Sequence, residues 1–172
     1  MKGVRWSIAA VGIAFALSAQ AQDRAIEPAA ADQGLPRNIG GTELILYRFP
    51  GVTDNGGGSY TGVATAFHCT NFSGVTETLR IVVRDSDGGD VANFAFLILH
   101  LQTSTISTHN TTVFLDNVVL SPGISISQGT AAIAATSTRI ICTAMIVDAA
   151  ATNPVGIALR GIRFNPAPGS QE

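Results

Sequence analysis

VTETLRIVVRDSDGGDVANFAFLILHLQ, residues 75–102, is the stretch that decides the fold class of this chain. In its first part Leu79, Ile81 and Val83 alternate with Arg80 and Arg84. That period of two places apolar side chains on one face of a strand and charged ones on the other. Asp85-Ser86-Asp87-Gly88-Gly89-Asp90 follows, and Asp-Gly and Gly-Gly supply positive-φ positions cheaply, so the chain turns there. Val91 to Gln102 is then almost wholly apolar. Two extended runs around a tight turn predict β-structure.

The same grammar extends outward in both directions. Glu43 to Phe49 stops at Pro50-Gly51, and TDNGGGS (53–59) reads as a loop. Gly62 to Thr70, Thr111 to Leu120, Thr138 to Val147 and Val155 to Phe164 are further runs, with short ones at Ile124 to Ile126 and Ala131 to Ala135. All seven prolines are read as lying outside the middles of these runs, where a missing N–H would break a ladder. Only Gly129 to Thr136, with its alanines, favours a helix locally. The pattern predicts an all-β chain, a single antiparallel β-sandwich of Ig-like or jelly-roll-like kind over residues 42–165.

The ends read differently. Lys2 and Arg5 precede an apolar run, Ile8 to Leu17, and Ala19 and Ala21 form a small-x-small pair. These are the parts of a bacterial-type secretory signal peptide, residues 1–21, and the apolar run falls short of the about 20 residues a membrane helix needs. Export to the periplasm or the extracellular space is expected. Residues 22–41 lack a clean period and read as an extended or mobile arm, and residues 166–172 as a disordered tail. Without the signal peptide the chain keeps eight arginines, no lysine and twelve acidic residues, a net charge of −4. A mildly acidic chain with no basic stripe is a poor partner for nucleic acid or an anionic membrane.

Cys69 and Cys142 are the only cysteines. Strand alternation puts Cys69 on the face of Val63, Thr65 and Phe67, and Cys142 on the face of Ile140, Ala144 and Ile146. Both are therefore inward, and His68 points away from its neighbouring cysteine. In an exported protein this pair is most economically one disulfide through the interior, closing a loop of about 74 residues and stabilising by roughly 4 kcal/mol. Zinc wants four ligands at short paired spacings, which Cys69 lacks.

Other chemistry is thinner. Asp85, Asp87 and Asp90 are the candidate calcium ligands, with Asp54 a further carboxylate in the other glycine-rich loop; calcium takes six to eight oxygens. The bland alternative is a solvated turn. NGGGS (55–59) lacks the lysine of a phosphate-binding loop. A hydrolase would need a histidine, His68 or His100, oriented by a carboxylate such as Asp116, and no G-x-S-x-G elbow is present. His109 falls in a Ser/Thr-rich turn. Asn71-Phe72-Ser73 and Asn110-Thr111-Thr112 match glycosylation sequons and are read as chance matches.

One run breaks the one-sided rule. Val91, Ala95, Leu97, Leu99 and Leu101 lie on one face of their strand and Ala92, Phe94, Phe96 and Ile98 on the other. A strand covered on one side only should alternate. The 129–136 segment, the arm or another subunit is expected to cover the second face. The leading expectation is an exported non-enzymatic module with a structural or binding role that self-associates through the arm or the Val91–Leu101 strand. A calcium-assisted ligand-binding domain and a small secreted hydrolase are the alternatives.

Overall fold

The computed structural model describes residues 43–163, so the expected signal peptide, arm and tail lie outside the described residues. Within them the chain is all-β, with no helix. The strands are β1 (Leu44–Asp54), β2 (Val63–Asn71), β3 (Glu77–Arg84), β4 (Asp90–Ile98) and β5 (Thr103–Ser107), then β6 (Val118–Val119), β7 (Ile126–Ala135), β8 (Ile140–Asp148), β9 (Gly156–Leu159) and β10 (Ile162–Arg163). One sheet runs β10-β1-β7-β3-β4 and the other β6-β5-β2-β8-β9. Every pairing is antiparallel except β5 with β6.

Both sheets contribute to one core. Leu46, Phe49 and Val52 of β1, Leu79, Ile81 and Val83 of β3 and Ile133 of β7 share it with Phe67 of β2, Ile106 of β5 and Ile140 of β8. The Phe49 and Phe67 rings meet edge to face at 5.7 Å, joining the first sheet to the second. Each fully buried Leu, Ile or Phe adds about 1.5–3 kcal/mol relative to its exposed state. A second, smaller cluster forms where Phe114 and Met145 pack on Ala64, Val147 and Ala149.

The hairpin of β3 and β4 forms as the alternation predicts. Asp85 N–H donates to the Gly89 carbonyl and Gly88 N–H to the Asp85 carbonyl, both at 3.0 Å. Leu79 lies opposite Phe96, Ile81 opposite Phe94 and Val83 opposite Ala92, so those aliphatic and aromatic side chains share the inward face.

Of the expected runs, Thr111–Leu120 forms a strand only at Val118–Val119 and Val155–Phe164 divides into β9 and β10 in different sheets, and two further expectations fail for identifiable reasons. Pro50-Gly51 does not end β1, because the strand continues to Asp54 through register shifts on either side of Val52. Gly51 sits at φ +84°, the bulge conformation that glycine adopts without strain. Pro50 is tolerated mid-strand because β10 pairs only with Tyr47 and Arg48, leaving the proline side of β1 without a ladder partner there. The alanine-rich segment is no helix and does not lie over the Val91–Leu101 strand. It is β7, the central strand between β1 and β3, with Ala131, Ile133 and Ala135 in the core. Sheet pairing on both edges outweighs the intrinsic helix preference of alanine. The backbones are close there, and a Cβ at Gly129 would stand 2.8 Å from the Arg84 carbonyl oxygen.

The cysteines are joined in a disulfide, with Cα atoms 4.2 Å apart and a sequence separation of 73. The bond does not cross the core from sheet to sheet. Cys69 and Cys142 are directly opposite each other on the neighbouring strands β2 and β8, and both side chains belong to the core. A disulfide-bonded pair fits a non-cytoplasmic protein. No helix among the described residues is long and apolar enough to cross a membrane.

Candidate functional site

The edges of the two sheets differ in a way that directs attention to β4. β10 and β6 are two residues each and β9 is four, whereas β4 presents nine residues and, among the described residues, pairs only with β3. Short edges offer little to an incoming strand, and lysine or proline blunts longer ones. β4 carries neither; Asp90 at its start is its one charged residue. Its side chains, with the turn that follows, stand open: Phe94 is 47% exposed, Leu97 66%, Leu99 57% and Leu101 64%. Phe94 and Phe96 stack along the inward row at 6.3 Å, yet Phe94 remains half uncovered. The doubly apolar strand of the sequence is thus an edge strand. The 129–136 segment expected to cover it lies in the same sheet, with β3 between them.

The strongest polar cluster joins residues far apart in sequence. His109 Nδ1 is 2.8 Å from Asp54 Oδ2, and its Nε2 is 3.0 Å from the Thr61 carbonyl oxygen. Asp54 Oδ1 also accepts from Gly56 N–H at 2.7 Å. Both ring nitrogens thus lie within hydrogen-bond distance of an oxygen, one of a carboxylate and one of the backbone. Neither nitrogen is turned toward a serine hydroxyl. The pair forms the floor of a cavity of about 240 Å³ walled by Gly56 to Ser59 and Ser121 to Gly123. Buried threonines brace this end: Thr65 Oγ1 accepts from Thr53 N–H and donates to the Thr53 carbonyl, while Thr108 Oγ1 accepts from Thr65 N–H.

His68 lies on the opposite side of β2 from Cys69, half-buried, edge-on to Phe114 at 4.6 Å and 3.0 Å from Thr105 Oγ1. Burial lowers its pKa from 6.5, against a smaller upward pull from the Asp116 carboxylate. The unfolded ring therefore takes its proton first as pH falls, and stability falls with it from about pH 6.5 down through the lowered folded value. His68→Gln is expected to flatten that part of the stability profile while leaving neutral-pH stability nearly intact. Urea midpoints from pH 7.5 to 5 check this, and parallel profiles for the two proteins would refute it.

The remaining sequence candidates go to separate places. Asp116 accepts from Ser107 Oγ at 2.5 Å and Thr111 N–H at 2.6 Å. His100 Nδ1 accepts from Gly74 N–H at 3.1 Å, so the His100–Asp116 arrangement weighed from sequence is not formed. Asp85 Oδ1 takes Ser86 N–H, Asp87 Oδ1 takes Gly89 N–H, and Asp90 pairs with Arg84 at 2.7 Å. No three acidic, histidine or cysteine side chains among the described residues are grouped as metal ligands would be. Asn71 is fully buried. Its amide donates to the Val75 and Ile98 carbonyls and its oxygen accepts from Ser73 N–H, which leaves no exposed amide for a glycan in the fold.

Sequence reasoning missed the Asp54–His109 pair because no local pattern links residues 55 positions apart. Comparison with protein-family models, curated proteins and solved structures finds no match.

Proposed function

We propose that this chain is an exported, non-enzymatic β-sandwich module, Ig-like or jelly-roll-like, with a structural or binding role exercised through self-association along the free edge of β4. The observation that carries this reading is the contrast among the sheet edges. Three are too short to recruit a strand, and the fourth is long, apolar and without lysine, arginine or proline. Such an edge presents a row of backbone donors and acceptors beside apolar side chains, which is what a partner strand needs. The export reading is supported by the basic head at Lys2 and Arg5, the apolar run Ile8 to Leu17, the Ala19-x-Ala21 pair and the disulfide.

Light scattering across a concentration series tests it. The mass of the wild-type chain should rise with concentration. Leu97→Lys, at an exposed position, should weaken association by roughly tenfold or more without loss of fold, because a lysine beside an edge opposes pairing. A wild-type chain that stays monomeric at every concentration would overturn the reading.

A further inference from the structure

Resting on that self-association, we infer that the partner of β4 is β4 of a second copy, antiparallel, with the two-fold axis at Ala95. Two observations fix this register.

The first is the bulge. Val83 is opposite Ala92 while Arg84 is opposite Asp90, so Val91 is the extra residue and the regular stretch of β4 runs from Ala92 to Ile98. The midpoint of that stretch is Ala95, and only an axis there pairs all of it with its copy.

The second is the pleat. Residues directly opposite in neighbouring strands share a face, so a sheet that continues through a two-fold axis keeps its faces matched only if the axis falls on a residue. At Ala95, Phe94 then meets Phe96 of the second copy, and Ala92 meets Ile98 of the second copy. These are the inward rows, and the half-uncovered Phe94 ring gains an aromatic partner. On the outward face Asn93 meets Leu97 of the second copy, and the small Ala95 meets itself.

The result is a ten-stranded sheet continuous across two molecules, in which the long edge that β4 forms among the described residues is paired in each copy.

Disulfide trapping on the full chain tests the register. The native Cys69–Cys142 bond is buried and leaves no free cysteine to interfere. Ala95→Cys should oxidise to a covalent dimer roughly tenfold more completely than Asn93→Cys, since disulfides need Cα atoms within about 7 Å. An equal mixture of Asn93→Cys and Leu97→Cys chains should give the mixed dimer in excess over either self-dimer; this arm stands if Ala95→Cys fails to fold. Self-trapping of Asn93→Cys or Leu97→Cys in preference to these would overturn the register while leaving association in place. No trapping in any variant, with monomeric light scattering of the wild type, would overturn both.

Discussion

Replacing Cys69 and Cys142 together with alanine is expected to lower the unfolding free energy by roughly 4 kcal/mol, the loop-entropy value for a closure of this length. For a domain of this size that corresponds to a fall in melting temperature of about 15 °C. The sequence separation of 73 matters more than the short distance bridged. β2 and β8 are already neighbours through nine paired positions, so the bond adds few native contacts. What it removes is freedom in the unfolded chain, where it ties the segment carrying β3 to β7 into one closed loop. Alanine at two core positions also forfeits some packing, so the reduced wild type serves as the control. Urea unfolding of oxidised, reduced and doubly substituted chains should show the last two close together and well below the first. A loss under about 1 kcal/mol in both would remove the disulfide from the account of stability.

Breaking the Asp54–His109 pair is the second large effect. His109→Ala leaves Asp54 Oδ2 and the Thr61 carbonyl without their partner in a buried setting, at a cost of about 3 kcal/mol. Asp54→Ala strands the His109 ring and the Gly56 N–H. The two substitutions share one interaction, so the double variant should be less damaged than the sum of the singles by about 1.5 kcal/mol or more. Additivity within about 0.5 kcal/mol would show that the contact is energetically empty. The pair closes the end where the glycine-rich 55–58 loop leaves β1, and proteolysis within that loop should quicken in both single variants.

How much of this was legible from residues alone depends on how local the cause is. The β3–β4 hairpin was legible because its period and its turn both lie within one short stretch. The disulfide was legible from face and compartment, but not that it joins strand neighbours, since strand order is a property of the whole sheet. Pro50 marks an end to β1 in the sequence because proline breaks strands in general; the short reach of β10 and a glycine bulge make it harmless here. β7 was half read as helix because alanine carries little β preference of its own, and the sheets on either side impose the strand. His109 looked like a turn residue, and nothing within ten residues of it announces Asp54.

The doubly apolar Val91–Leu101 run was the clearest sequence signal of something unfinished. A one-sided cover within the chain would have dissolved it. Among the described residues the strand instead ends a sheet and pairs only with β3, and the two faces contribute Phe94 and Leu97 to the same open border. The proposed burial of this border against a copy would draw on the same free-energy terms that build the core.

Amide hydrogen exchange along Ala92 to Ile98, compared between dilute and concentrated protein, tests that claim most directly. In an antiparallel edge, alternate amides face β3 and are protected in the monomer, while the others face outward. The account predicts that the outward set slows by roughly tenfold or more on concentration, with Leu97→Lys abolishing the change. Outward amides that exchange at the same rate at every concentration would contradict it.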